Sequence, residues 1–278
     1  MKNTVLKYVG IAWLTIIFFA NFIACGSQMY QVSVREDFDD QRALESNPEA
    51  ADPESTVYGI HATDGWKQLP IPYSFGEKLN KEQRTHLARA MHIWEVAVGK
   101  KLFAIKGVHT GVHGDKFEDL YSSLDDRVNG HYMDKDWAKT NKPDYVLATT
   151  IWHNASSPNE IAKADIRYND AHYIIGDSLV QQSTEDKEVV DMQSLALHEL
   201  GHLLGLAHVS EDVDPLSIMN PSLYIGEGLT SRVLSEGDVM RIQTIYGCSG
   251  KACDIGNVLA RVGNMSEEKL TDPLSLAH

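Results

Sequence analysis

Residues 198 to 208 read His-Glu-Leu-Gly-His-Leu-Leu-Gly-Leu-Ala-His, and no other stretch constrains this chain as much. On a helix, His198 and His202 stand one turn apart on one face. Two imidazoles so placed can share one metal ion. Glu199 lies beside them, where its carboxylate can reach a water on that ion. Gly205 can end the helix in a left-handed conformation that side chains resist, and the chain, turning back, offers His208 as a third nitrogen. Three neutral imidazoles suit zinc and leave a fourth position open, which distinguishes a catalytic zinc from a structural one. A lone His-Glu-x-x-His is often only a solvated helix face. With the glycine and the third histidine at fixed offsets, chance produces the pattern in roughly one chain of this length in 100,000, given average residue usage. That rarity decides for a metal site.

A second element follows. Ser217-Ile218-Met219-Asn220-Pro221 comes shortly after the third histidine. Alone, Met219 reads as a core methionine after a turn. Together the two stretches resemble the metzincin metallopeptidases, and the Met-x-Pro form is similar to the matrixin branch. The resemblance implies that Met219 sits in a Met-turn beneath the metal histidines. Branches that add a tyrosine ligand place it two residues after the methionine, where this chain has Pro221, so Tyr224 is a poor fourth ligand. The stretch from His208 to Met219 is longer than matrixins usually have, residues 107 to 143 read as an insertion, and no Pro-Arg-Cys-Gly latency motif is present.

The rest of the pattern fits an α+β chain. Ile71, Tyr73 and Phe75 alternate as a strand does. Asn80 can cap a helix and Gln83 can complete its capping box. Leu87, Met91, Trp94 and Val98 then form one apolar stripe. Residues 101–105, 145–149, 164–168 and 172–175 read as further strands. Ser235 with Asp238 opens a last helix, which buries Val239, Ile242, Ile245 and Tyr246 and stops at Gly247. The expected fold is a small twisted mixed sheet of about five strands with three main helices. The resemblance adds a zinc cleft between an N-terminal and a smaller C-terminal subdomain. It also implies that Ala164 to Asp170 is the edge strand above the cleft, beside which an extended peptide adds as another strand, and that residues 220 to 234 line a side-chain pocket.

The ends of the chain suggest an exported protein. Lys2 and Lys7 precede an apolar run from Val9 to Ala24, too short for a spanning helix and suited to a signal peptide over 1–24. Phe22-Ile23-Ala24-Cys25 is similar to a bacterial lipobox, which implies that Cys25 is lipidated and anchors the chain in a cell envelope. Ser27 favours the outer membrane by resemblance to lipoprotein sorting. A cut after Gly26 and secretion, or an uncleaved anchor, are the alternatives. Residues 25–56 read as the lipidated N-terminus and an acidic flexible tether; the sharper alternative is a pro-segment covering the zinc with Asp37, Asp39 or Asp40. The metallopeptidase domain then spans 57–247, long enough for its own core. Cys248 and Cys253 suit a small disulfide in an oxidising compartment, and 248–278 forms that loop and a tail, in which Ser266 to Leu270 can begin a short helix. The net charge of −14 argues against nucleic acid as a partner. Oligomeric state is not legible.

His109, His113 and Asp115 invite a second metal site, but a loop histidine beside a solvated aspartate is the plainer reading. Calcium is compatible with such folds, though no loop has the repeated oxygen ligands of an EF-hand. The resemblance implies a zinc-dependent endopeptidase acting on protein or peptide substrates. His198, His202 and His208 hold one Zn2+ ion, and Glu199 is the general base for a metal-activated water. Two other classes stay open. One is a narrow processing peptidase or an amidase of cell-wall peptides. The other is a non-catalytic, membrane-tethered zinc-binding adhesion module, against which an intact Glu199 weighs.

Overall fold

The structure is a computed structural model that describes residues 30–33, 62–112, 128–140, 142–155, 157, 159–265 and 272–276. Its centre is a five-stranded mixed sheet. The strands are β2 (Ile71–Gly76), β3 (Phe103–His109), β4 (Asn129–Asp134), β5 (Ala148–Asn154) and β6 (Ile161–Asn169), in the order β3-β2-β4-β6-β5. All neighbours are parallel except β5, which runs antiparallel to β6 with Thr150 opposite Ile166. Two short pairs flank the sheet: β7 (Ile174–Gly176) with β8 (Val189–Asp191), and β1 (Tyr30–Ser33) with β9 (Ser222–Ile225). Tyr30–Ser33 falls inside the stretch expected to be a flexible tether; the rest of 25–56, with Cys25 and Asp37 to Asp40, lies outside the described residues.

Among the described residues there are four α-helices: α1 (Lys81–Val98), α2 (Met192–Leu203), α3 (Glu236–Tyr246) and α4 (Ile255–Met265). α1 starts where the sequence says it must. The Asn80 side chain accepts from the Gln83 N–H at 2.9 Å, and the Gln83 side chain accepts from the Asn80 N–H at 2.9 Å, which satisfies two of the donors a helix start leaves orphaned. Its stripe of Leu87, Met91, Trp94 and Val98 is buried throughout, each side chain contributing about 1.5–3 kcal/mol relative to exposure. Gly99, at φ 65, ends the helix. α3 opens on the Ser235–Asp238 capping box and stops at Gly247.

One apolar cluster runs through sheet and helices, joining Ile71, Phe75, Ile166 and Tyr168 to Leu87, Met91, Trp94, Leu197 and Leu200. α2 lies within it, packed on α1 and β5, and every one of its residues is buried.

Three expectations need correction. The stretch 107–143 is not simply an insertion: it contributes the end of β3 and the whole of β4, which sits between β2 and β6. Ala164 to Asp170 is not the edge strand, because β6 has β4 on one side and β5 on the other; the antiparallel edge belongs to β5. The tail carries a helix earlier than expected. α4 covers Ile255–Met265 and buries Val258, Val262 and Met265, against α1 and α3, while Ser266 to Leu270 lies outside the described residues. Cys248 and Cys253 form the expected disulfide, with Cα atoms 5.7 Å apart.

Candidate metal centre

α2 is anchored at both ends by side chains from elsewhere in the chain. Asp191 caps its start, accepting from the Ser194 N–H at 2.9 Å. At its other end the last carbonyls have no intrahelical donor. Trp66 Nε1 donates to Leu203 O at 2.7 Å, and the Tyr246 hydroxyl donates to Leu204 O at 2.8 Å. Gly205 follows at φ 106, and a Cβ there would meet Thr63 Oγ1 at 2.7 Å. The position therefore needs glycine for its backbone angle and for the close approach of another segment. Gly205 turns the chain so that His208 comes back over the helix, and the Val209 N–H donates to Met219 O at 2.9 Å. This one bond ties the strand of chain after His208 to the Met-turn.

The three histidines converge. Their ligand atoms lie within 4.8 Å of one another, with His198 Nε2 3.1 Å from His202 Nε2 and 3.3 Å from His208 Nε2. A tetrahedral ion with Zn–N bonds of about 2.0–2.1 Å sets its nitrogens roughly 3.3 Å apart, so the set fits zinc. The outward nitrogens fix the ring states. His198 Nδ1 donates to Ile218 O at 2.7 Å and His202 Nδ1 donates to Leu206 O at 2.8 Å, which turns both Nε2 lone pairs toward the shared point. Burial pushes the His198 pKa down to about 4, and burial followed by the His198 charge pushes His208 down to about 3. Burial also lowers His202 well below its usual value. The rings are neutral at physiological pH, the state in which imidazole binds metal.

Met219 is fully buried directly under α2: a Cβ on Gly201 would lie 2.2 Å from its sulfur. The turn that carries it hangs on Asp238. That buried carboxylate accepts from the Ser217 hydroxyl at 2.6 Å and from the Ile218 and Ser235 N–H groups at 2.9 Å each, and it pairs with Arg241 at 2.5 Å. Sequence reasoning found Asp238 only as half of a capping box; its grip on the Met-turn joins residues too far apart in the chain for any local pattern to show.

Glu199 is wholly buried, and its Oε2 accepts from the Thr150 hydroxyl on β5 at 2.6 Å. Below the Met-turn a cavity of about 850 Å³ opens, walled by Ile218, Leu223, Tyr224, Val233 and Leu234, within the region where resemblance set a side-chain pocket. The histidines are not among its walls. His109 stands apart from the centre, 2.8 Å from the Tyr132 hydroxyl, and His113 and Asp115 lie outside the described residues.

Residues 116–247 match the family described as Matrixin. Among similar proteins, Metalloendoproteinase 2-MMP of Arabidopsis thaliana is 43% identical over 60 residues, covering 22% of this chain and 15% of that protein. Metalloendoproteinase 5-MMP of the same plant is 34% identical over 100 residues, 35% of this chain and 25% of its own length. Matrilysin of Felis catus is 41% identical over 63 residues, covering 23% and 22%. The chain thus spans no more than a quarter of the length of these relatives.

Proposed function

The chain carries a matrixin-like metzincin domain, and from that premise we propose that it is a zinc-dependent endopeptidase cleaving extended protein or peptide substrates. The observation that carries the reading is the convergence of three neutral imidazoles, two of them anchored through their outward nitrogens, beside a buried glutamate. His198, His202 and His208 hold the ion. When bound, zinc supplies a Lewis acid that acidifies a water and polarises the scissile carbonyl. Glu199 takes the proton of the attacking water and hands it to the leaving amine. No covalent enzyme intermediate is involved. β5, whose outer edge has no strand partner among the described residues, receives the substrate as an added strand. Met219 shapes the floor beneath the ring nitrogens. The cavity at 218–234 takes a substrate side chain and sets preference.

The same reading keeps 57–247 as the metallopeptidase unit and Cys25 as a lipid anchor after removal of 1–24. The short apolar run and Phe22-Ile23-Ala24-Cys25 support it, and no described helix is long and apolar enough to cross a membrane.

The test is incubation of the purified protein with a mixed peptide library, with and without a zinc chelator, beside Glu199→Ala. The expected result is chelator-sensitive cleavage inside peptides, lowered about 10²–10⁴-fold in the variant at unchanged zinc content. Parental rates in Glu199→Ala overturn the assigned base. Cleavage confined to cell-wall fragments replaces the endopeptidase with an amidase, and silence on every substrate leaves a binding module.

A further inference from the structure

The core-facing row of the edge strand contains one residue that packing does not explain. Ala148, Thr150 and Trp152 point toward α2, opposite Tyr168, Ile166 and Ala164 of β6. The β6 neighbours are fully buried, with the Tyr168 hydroxyl occupied by His131 at 3.1 Å, yet Thr150 brings a further hydroxyl beside them at 5% exposure. A buried hydroxyl needs a partner. Within reach are two acceptors of one residue, the Glu199 main-chain carbonyl at 3.1 Å and the Glu199 Oε2 at 2.6 Å. The hydroxyl has a single proton. The shorter contact falls in the range of O–H···O⁻ bonds, about 2.5–2.7 Å, and such charge-assisted bonds are about twice as strong as neutral ones. The proton goes to the carboxylate.

We propose that Thr150 is a positioning residue: its hydroxyl fixes the plane of the Glu199 carboxylate and couples that base to the edge strand that receives substrate. The inference rests on the endopeptidase reading for its kinetic consequence, but its geometric basis is independent. A glutamate side chain turns about three bonds and is held at one of its two oxygens by Thr150. Without that bond the carboxylate loses a restraint on the plane from which it takes the proton, and a misplacement of about 1 Å can cost a factor of about 100. Substrate binding by main-chain pairing along β5 does not depend on the hydroxyl, so the loss is in turnover.

The test compares Thr150→Val, Thr150→Ala and Thr150→Ser in the zinc-loaded full chain. Val keeps the shape and removes the donor; Ser keeps the donor and removes a methyl. The expected result is kcat lowered about 10–100-fold in Val and Ala with KM within about threefold, and Ser within about threefold of the parent. A simple packing role predicts the opposite order, with Val mild and Ser impaired. Affinity for a peptidyl hydroxamate, a zinc-chelating acid that must surrender its proton to Glu199, is read alongside by calorimetry. It should fall about tenfold in Val and Ala and be kept in Ser. Parental kcat and hydroxamate affinity in Val, or a Ser variant as impaired as Val, overturn the proposal. So does loss of zinc in both donorless variants, which makes Thr150 structural. If the parent cleaves no peptide, the endopeptidase reading fails alone, and the hydroxamate series still decides the role of Thr150.

Discussion

Replacing Asp238 with alanine should damage the metal centre from a distance, because the carboxylate holds four neighbours at once: Ser217, Ile218, Ser235 and Arg241. Its loss takes the buried ionic partner from the fully buried Arg241, which also pairs with the partly exposed Asp214. Removing one member of a buried pair costs about 3–5 kcal/mol. The Ile218 and Ser235 N–H groups also lose their acceptor, at about 1–3 kcal/mol each if water does not replace it. These losses are not additive, since a cavity the size of a carboxylate admits water, so about 4 kcal/mol is a working figure. For a domain of this size each kcal/mol moves Tm by about 2–4 °C, giving a fall of about 8–16 °C. The effect reaches the metal through Ile218: its N–H is held by Asp238, and its carbonyl orients His198. Zinc affinity should fall about 10–100-fold, as for other changes one residue removed from a ligand. Thermal unfolding of metal-free and zinc-loaded protein, with a competitive chelator titration, measures both. A Tm within about 2 °C of the parent would show that Asp238 does not hold the Met-turn.

Two further substitutions probe the sheet and the end of α2, and a third at Gly228 serves as a comparison. His131 is fully buried, and burial lowers its pKa from 6.5 to about 3. Between those values the unfolded chain binds a proton that the folded chain refuses, so its contribution is complete above pH 6.5 and is lost as pH falls toward 3. His131→Gln should flatten the stability–pH slope by about 1.4 kcal/mol per unit between roughly pH 4 and 6; parallel urea-derived curves for the two proteins would refute it. Gly205→Ala should cost about 2–3 kcal/mol, from positive φ plus the approach of Thr63. Gly228→Ala, with positive φ but open space around it, should cost only about 1–2 kcal/mol. Equal losses in urea would mean that the Thr63 contact contributes nothing.

Much of this was readable where local chemistry decides. The capping boxes at Asn80 and Ser235, the histidine spacing and the positive φ at Gly205 all act within a few residues. The sheet was harder. β6 alternates like a half-exposed edge strand, but its polar row of Lys163, Asp165, Arg167 and Asn169 is buried. Lys163 pairs with Asp165, and Arg167 pairs with Asp134 of β4. Alternation reports two different environments, not which of them is water. β4 reads Asn-Gly-His-Tyr-Met-Asp, in which Asn129, Gly130 and Asp134 are poor strand formers that neighbours on both sides hold extended. α4 hid behind Gly256 and Gly263, although Val258, Val262 and Met265 keep helical spacing. Thr150 could not be found at all, since its meaning lies in a carboxylate 49 positions away.

The indole of Trp66 and the phenol of Tyr246, 180 residues apart in the chain, close off the same frayed end of α2. The match to the matrixin family begins only at 116, so it omits Trp66, Trp94 and the two strands that complete the sheet. A fragment cut at that boundary would take the indole from the Leu203 carbonyl at the end of the histidine helix and leave one flank open to solvent. What is most recognisable in this protein is therefore not what can stand by itself.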